Sequence, residues 1–189
     1  MTQQGKNAID LVLAESLIEL SAKKPIDKIT IKEITDKAGV IRPTFYNHFQ
    51  DKYELIEWII KTELLEPIKP LLNAGMIFEA IVLMLNNITA NSVFYKKALK
   101  LEGAVTFNQI AMKCVYEMFM NIIGEKSTGK KSKYRWLTPE VISTYYAQSL
   151  CFITEGWIAQ GMDDIEPKEM AEAYMYLITR SMDDILSEL

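Results

Sequence analysis

The segment GVIRPTFYNHF, residues 39–49, concentrates side chains that can bind nucleic acid, and it holds the only histidine of a 189-residue chain. Arg42 can form a bidentate contact with guanine, and Asn47 can do the same with adenine. Thr44 or the ring of Pro43 can contact a thymine methyl group. A tyrosine hydroxyl or an imidazole can donate to phosphate. These residue types are the ones that a DNA major groove requires.

Two short predicted helices position this segment. Thr30 and Glu33 have the spacing of a capping box, which predicts the start of a helix over residues 31–38. Gly39 can end that helix because glycine tolerates positive φ, and Pro43 suits the first turn of a second helix. Two short helices joined by three or four residues around a glycine form a helix-turn-helix.

The second of these helices is predicted to reach Phe49 and to have two faces. Phe45 and Phe49 are four residues apart and are expected to pack on the domain. Tyr46 lies at the edge of that face. The opposite face is expected to point away from the domain and carries hydrogen-bond donors: Arg42, Thr44, Asn47 and His48.

Charge along the chain favours the same region. The net charge is −4, which argues against non-specific coating of nucleic acid. Between residues 23 and 52, however, seven Lys and Arg residues face four Asp and Glu residues. The helix-turn-helix therefore lies in a locally basic window.

The rest of the chain indicates an all-α fold, because apolar residues recur three and four positions apart and no segment alternates over strand-like lengths. The most apolar stretch is interrupted by Glu79, so no membrane span is expected, and no signal peptide is apparent; a cytoplasmic location is predicted. Cys114 and Cys151 lie in apolar helical patterns and are expected to pack in the core. No cofactor or metal site is predicted.

The run ITIKEITDKAGVIRPTFYNHFQDKYEL, residues 29–55, resembles the N-terminal domain of the TetR family of one-component regulators. The resemblance covers about residues 8–60 and implies a protein that binds a double-stranded DNA operator as a homodimer. It further implies two sets of DNA-binding residues. The expected phosphate contacts are Thr30, Tyr46, His48 and Lys52, and the expected base contacts are Arg42, Pro43, Thr44 and Asn47. Lys52→Ala would then lower the salt dependence of binding.

One residue departs from the family pattern. The family commonly has Ser or Thr just after the turn valine, where its hydroxyl caps the second helix, and this chain has Ile41 there. Isoleucine has no hydrogen-bond acceptor in its side chain, so the first turn of the helix is expected to lack this cap.

The domain organisation follows from two prolines. A fourth helix is predicted over about residues 52–66, ended by Pro67 and Pro70. Residues 1–52 are expected to form the helix-turn-helix domain, residues 52–66 a connector, and residues 67–189 a C-terminal effector-binding and dimerisation domain. Further helices are predicted over residues 71–86, 92–101, 107–123, 139–160 and 167–186.

The interior of this second domain is predicted to be rich in Met and aromatic residues. Such a set is more often core than pocket, but it can also line an apolar cavity with a few hydroxyl groups. The family resemblance implies a small apolar or amphipathic effector there. The predicted pocket residues are Met84, Phe94, Tyr95, Phe107, Met112, Tyr116, Met120, Tyr145 and Phe152.

The last two long helices carry more apolar surface than one small bundle readily buries. The C-terminal stretch also resembles a TetR branch whose final helices form the dimer interface. Pairing across a two-fold axis would bury the surface in a four-helix arrangement. The predicted interface residues are Tyr145, Leu150, Ile153, Trp157, Met170, Tyr174, Leu177 and Met182.

Two other functions remain open. The favoured prediction is a repressor that a small-molecule effector releases from a near-palindromic operator. Some members that resemble this chain are instead activators, which dock a partner protein through the C-terminal domain, and this is the alternative. An enzyme is disfavoured because the only histidine lies on the predicted recognition helix. The basic segment over residues 124–136 is expected to be a solvated loop, with a second nucleic-acid contact as the alternative.

Overall fold

The structure is a computed structural model that describes residues 3–126 and 133–188, and those residues contain helices and no strand. The N-terminal part contains α1 (Gln3–Ser21), a 3₁₀ turn (Ile26–Lys28), α2 (Ile31–Ala38), α3 (Arg42–Tyr46) and α4 (Lys52–Ile59). A π-helical segment (Ile60–Leu65) leads directly into α5 (Glu66–Asn73). The remaining helices are α6 (Ile77–Ala90), α7 (Ser92–Ala98), α8 (Phe107–Lys126), α9 (Pro139–Ala159), α10 (Pro167–Thr179) and α11 (Met182–Ser187). The predicted all-α fold is confirmed.

The first two helices of the helix-turn-helix form for the reasons that the sequence indicated. The Glu33 amide donates to the Thr30 hydroxyl at 3.3 Å, and the Thr30 amide donates to the Glu33 carboxylate at 2.9 Å. Gly39 ends α2 with φ 69° and ψ 26°, a left-handed conformation that favours glycine. The capping box, the limits of α2 and the glycine turn are confirmed, but α3 ends at Tyr46 rather than at the predicted Phe49.

Helix α1 packs on this unit through a face that includes one polar residue. Leu13, Ala14 and Leu17 are fully buried, and Asp10 is buried on the same side. Val12 lies off this face and is 41% exposed. The packed face of α1 therefore brings a polar residue, Asp10, into the interior.

The break expected at Pro67 is absent, and the chain stays helical from Lys52 to Asn73. A proline cannot donate to the carbonyl four residues earlier, which here belongs to Glu63. The Asn87 side-chain amide donates to that carbonyl at 2.9 Å instead. The π-helical segment before Pro67 therefore replaces the predicted break.

Two other predicted helices are interrupted. The helix expected over residues 71–86 is split at Gly75, which has φ 77°. The last helix is split near Ser181, whose hydroxyl forms a second capping box with Asp184. Residues 127–132 of the predicted basic loop lie outside the described residues.

The C-terminal helices pack as a bundle in which α8 lies along α9, and α6 contacts both α5 and α10. Cys114 and Cys151 are buried in its core, as predicted. Within the described residues, no single helix has the length and apolarity to cross a membrane, and one helix pair passes that test only with an 88° bend.

Candidate nucleic-acid interface and cavities

The recognition surface is defined here as Arg42, Pro43, Thr44, Tyr46 and Asn47 on and just after α3. Four of these residues are exposed, and Thr44 is partly buried. Their backbone is held from behind by the buried rings of Phe45 and Phe49, whose centroids lie 5.9 Å apart.

Arg42 and Tyr46 contact each other across one helical turn. The guanidinium donates to the Tyr46 hydroxyl at 3.4 Å, and the Arg42 Cζ atom lies 6.0 Å from the ring centroid. This weak contact leaves most donors of the guanidinium available. Ile41 precedes them as the N-cap, is 68% exposed and provides no side-chain hydrogen bond, as predicted.

The expectation that His48 points away from the domain is wrong. Its side chain is only 2% exposed, and Nδ1 lies 2.6 Å from Oδ1 of Asp10. A buried carboxylate requires a partner, and His48 provides it across 38 positions of sequence. The pair attaches the end of the recognition surface to α1.

Sequence reasoning missed Asp10. It lies three and seven positions before Leu13 and Leu17, so it shares their buried face. A lone carboxylate on an apolar helix face was the signal that could have identified it.

Lys52 also has a structural contact that was not expected. Its ammonium donates to the carbonyls of Ile26 at 3.0 Å, Asp27 at 2.7 Å and Ile29 at 3.3 Å. An ammonium has three donors, so all of them are used. Lys52 thereby caps the end of the 3₁₀ turn and joins it to α4, and it has no donor left for phosphate in this conformation.

Thr30 is exposed, but its hydroxyl donates to the Glu33 carboxylate at 2.8 Å. Lys24 also donates to this carboxylate, at 2.5 Å. These contacts, with that of Lys24 as the largest cause, lower the pKa of Glu33 to about 2. Thr30 is thus primarily a helix cap in this structure.

The lysines of the basic window are mostly paired. Lys32 contacts Asp36 at 2.5 Å, Lys28 contacts Asp27 at 3.4 Å, and Lys37 contacts Glu19. Arg42 differs from them because its recorded polar partner is a neutral tyrosine. Among the described contacts, no carboxylate neutralises the charge that Arg42 places on the recognition surface.

Ion pairs connect α4 and the π-helical segment to the bundle. Glu57 accepts from Lys113 of α8 at 2.8 Å and from Lys61 at 2.7 Å. Lys61 in turn contacts Glu117 of α8 at 2.7 Å, and its two carboxylate partners raise its pKa despite burial. These contacts attach the helix-turn-helix unit to α8.

Two cavities lie within the bundle. The outer cavity has a volume of about 410 Å³ between α5, α6, α8, α9 and α10. Its lining is mainly apolar and includes Tyr146, Tyr174 and Thr179. Its volume is in the range of known small-molecule sites.

The inner cavity is smaller, about 40 Å³, and lies against the π-helical segment through Ile60, Leu64 and Leu65. Tyr95 and Thr154 also line it. Their hydroxyl oxygens are buried and have no hydrogen-bond partner among the described residues.

The predicted pocket residues divide into three groups. Met84 lines both cavities, and Tyr95 and Phe107 line the inner one. Tyr145 and Phe152 were expected inside the bundle, but they are 63% and 76% exposed, so that expectation is wrong. The others pack away from both cavities: Phe94, Met112, Tyr116 and Met120.

The predicted interface residues also divide by exposure. Tyr145, Leu177 and Met182 are exposed. Leu150, Trp157 and Tyr174 are instead buried within their own chain, and the Trp157 indole donates to the Ile165 carbonyl at 2.9 Å. Two further residues, Ile153 and Met170, are partly buried.

Comparison with known proteins identifies the chain. The description "Bacterial regulatory proteins, tetR family" matches residues 15–59, and "Transcriptional regulator C-terminal region" matches residues 76–180, more than half of the chain. The chain belongs to the TetR family of transcriptional regulators. Members of this family combine a helix-turn-helix DNA-binding domain with a ligand-binding C-terminal domain, and they are typically homodimers. The family consists of regulators rather than enzymes.

A curated relative is the dhaKLM operon transcriptional activator DhaS of Lactococcus lactis, 26% identical over 152 residues that cover 79% of each chain. Among solved structures, the dihydroxyacetone kinase operon activator DhaS matches with a TM-score of 0.60, 20% identity and 95% of each chain covered. NalD, the secondary repressor of a multidrug efflux pump in Pseudomonas aeruginosa, matches with a TM-score of 0.59, 12% identity, and 92% of this chain and 96% of NalD covered. The two structures support the fold.

Proposed function

We propose that this TetR-family regulator binds a near-palindromic operator through the recognition surface of α3 and acts as a repressor that a small-molecule effector releases. The observation that carries the proposal is the exposed set of donors on α3, held by buried Phe45 and Phe49. Arg42 and Asn47 are assigned to base edges, and Tyr46 to phosphate.

His48, Lys52 and Thr30 receive a different role in this proposal. Asp10, the carbonyls of the 3₁₀ turn and Glu33 occupy their polar groups. They orient α3 and its neighbours, and any phosphate contact from them would need these bonds to be exchanged. These residues hold the backbone of α3 and its neighbours in position, and they do not add positive charge at the DNA.

Dimerisation is proposed through the exposed apolar face of α9 and α10. Tyr145 and Phe152 are seven residues apart on α9 and share one face, and Leu177 is exposed on α10. Two copies would present their α3 helices to successive major grooves, about 34–36 Å apart.

The effector is proposed to bind in the C-terminal region, residues 67–189, where the outer cavity lies. Residues 1–52 would bind the operator, and residues 52–66 would connect the two. The π-helical segment contacts the inner cavity, and Glu57 and Lys61 pair with α8, so movement of the bundle would reach α3. An effector shifts this equilibrium only by its differential affinity for the two arrangements. Such a protein would act in the cytoplasm, where its operator is.

A second candidate is an activator that is controlled by a partner protein. The match to DhaS, an activator, favours it. A catalytic role is not proposed: the described residues include no cluster of metal ligands, and the only histidine is engaged by Asp10.

An electrophoretic shift with the protein's own upstream DNA tests the proposal at several salt concentrations. Binding should weaken steeply as salt rises, because each phosphate contact contributes a slope of about −0.9. No shift, or a slope near zero, would refute DNA binding. A reporter fused to the same DNA then separates the two candidates, since deletion of the regulator raises expression for a repressor and lowers it for an activator.

A further inference from the structure

Ile41 lies directly before the recognition surface, and most of its own surface is uncovered. It is 68% exposed, whereas its neighbour Val40 packs against the core. A single exposed apolar residue is common on protein surfaces, so exposure alone indicates no function. The next residues in the chain are Arg42 and Pro43, however, so Ile41 is exposed beside the residues that are assigned to DNA.

The start of α3 does not depend on this side chain. The helices before and after it begin with side-chain caps, from Thr30 for α2 and from Asp51 for α4. At α3, Pro43 has no amide hydrogen, and the Thr44 amide donates to the Ile41 carbonyl at 2.9 Å. These are the two backbone positions from which a side-chain cap would accept. The backbone therefore starts the helix, and the side chain of Ile41 is free for another contact.

The chemistry of an isoleucine side chain limits what it can contact on DNA. It has no hydrogen-bond donor, so packing it against a phosphate oxygen would remove water from a charge without replacing it. Most base atoms in the major groove are polar, but thymine presents a methyl group at C5. Unmodified DNA offers this apolar group on no other base. An exposed isoleucine beside the donors of Arg42 and Asn47 therefore matches one base type.

We propose that Ile41 is a specificity-determining residue that packs against the C5 methyl group of a thymine in the operator. Arg42 and Asn47 bind polar base edges through hydrogen bonds, and Ile41 adds a selection for an apolar edge that these donors cannot make. Cytosine lacks the methyl group, so the operator position that contacts Ile41 discriminates thymine from cytosine. This contact rests on the proposed operator binding through α3 and needs no effector.

Uracil substitution in the protein's own upstream DNA tests this contact. Uracil differs from thymine only by the missing methyl group and keeps the same hydrogen-bonding groups and base pair. In synthetic duplexes of the segment that the full-length protein protects from nuclease digestion, each thymine is replaced by uracil in both half-sites together. At one thymine position per half-site, the wild-type protein should bind the uracil duplex about four- to fifteenfold more weakly, because two buried methyl groups are lost. Fluorescence anisotropy measures these affinities.

Ile41→Ala identifies the residue that contacts the methyl group. This variant should bind the thymine duplex at least about fourfold more weakly than the wild-type protein does, because the apolar contact is lost in both half-sites. It should then bind the thymine duplex and the uracil duplex with equal affinity at that position. Its Tm should change by less than about 2 °C, because the side chain is exposed.

Two control variants separate Ile41 from other apolar groups. Val93→Ala shortens another β-branched side chain, which is 52% exposed on α7 outside the helix-turn-helix. It should keep the wild-type affinity and the full effect of uracil. Thr44→Ser removes a methyl group from a neighbouring residue of α3 and keeps the hydroxyl group. It should keep the uracil effect at the position that is assigned to Ile41.

Each contrary result overturns the contact. If no uracil substitution weakens wild-type binding, or if the effect persists in Ile41→Ala, then Ile41 does not contact a methyl group. If Thr44→Ser removes the effect instead, the contact belongs to Thr44. A larger fall in the Tm of Ile41→Ala would mean that the side chain stabilises the fold. If the wild-type protein fails to bind its upstream DNA at all, the proposed function is refuted together with this contact.

Discussion

The two halves of the molecule treat buried polar groups in opposite ways. In the helix-turn-helix half, Asp10 pairs with His48, and the hydroxyls of Ser16, Ser21 and Thr35 donate to carbonyls at 2.6–3.0 Å. In the C-terminal half, three buried hydroxyls lack a partner among the described residues: Tyr95, Ser143 and Thr154. Both cavities described above also lie in that half or at its border.

This difference teaches how a regulator can be rigid and responsive at once. A surface that must match DNA needs a fixed backbone, and saturated hydrogen bonds fix it. A region that responds to a small molecule needs a conformational equilibrium that binding can shift, and unpaired buried hydroxyls lower the cost of such a rearrangement because they destabilise the packed state. Substitutions that remove a packed or hydrogen-bonded group from the helix-turn-helix half should therefore lower the unfolding free energy by the full contribution of that group.

The largest effect is expected from Phe45→Ala. Phe45 is fully buried behind the recognition surface, and its ring packs against Tyr46 and Phe49. The variant should lose about 3–5 kcal/mol of unfolding free energy, because the tightly packed core cannot collapse into the cavity that the missing ring leaves. Urea unfolding measures this. Phe45→Leu should lose clearly less, and a loss below about 1 kcal/mol for Phe45→Ala would show that this half is as loosely packed as the other.

Lys52→Met should have the next largest effect. Removing the ammonium leaves the carbonyls of Ile26, Asp27 and Ile29 without their donor, which should cost about 1.5–3 kcal/mol of unfolding free energy. The salt slope of DNA binding should stay the same in the folded variant, because Lys52 has no free donor for phosphate. This revises the sequence-based expectation that Lys52→Ala lowers the slope.

Lys32→Met is the matched control, since it removes the same charge from an exposed position paired only with Asp36. Its unfolding free energy should change by less than about 0.5 kcal/mol. A stable Lys52→Met protein with a slope reduced by about one would restore the phosphate assignment.

Features that the sequence predicted correctly depend on neighbouring residues. The capping box of Thr30 and Glu33 and the left-handed Gly39 are local, and their energetics are complete within one helical turn. The pair of Asp10 and His48 joins residues 38 apart, so the sequence shows both groups but does not show that they are in contact.

The same reasoning explains the errors in the C-terminal half. Pro67 was expected to end a helix, but Asn87, which lies 24 residues from Glu63, donates to the carbonyl that the proline leaves unpaired. Phe152 was expected in the interior because periodicity locates an apolar face without stating what covers it. A long-range hydrogen bond explains the first case, and the second arises because periodicity does not show which apolar face the rest of the chain covers.

Arg42→Ala tests whether the helix-turn-helix half discriminates between DNA sequences. It should reduce affinity for the preferred operator by about 1–3 kcal/mol and relax discrimination against altered sites. Its unfolding free energy should change little, because the side chain is exposed and contacts only Tyr46 weakly. Competition shifts against mutated operators measure this, and intact discrimination would refute the base contact.

The smallest effect is a change in pH dependence at the two capping boxes, one in each half. The pKa of Glu33 is lowered from its ordinary value of 4.5 to about 2, first by Lys24 and then by Thr30. The folded protein therefore binds this proton less readily than the unfolded chain, and the resulting stabilisation is present above about pH 4.5 and is lost as pH falls towards 2. Glu33→Gln should flatten this part of a Tm profile against pH.

Asp184 of the α11 capping box also has a lowered pKa, caused first by the Ser181 hydroxyl. No described residue of α11 is buried, however, so its helix can open without unfolding the core. Asp184→Asn should therefore leave the Tm profile unchanged although the motif is the same. If both variants flatten the profile equally, the two capping boxes contribute equally to the stability of the fold. The contrast between the two halves would then hold for buried hydroxyl groups but not for these charged caps.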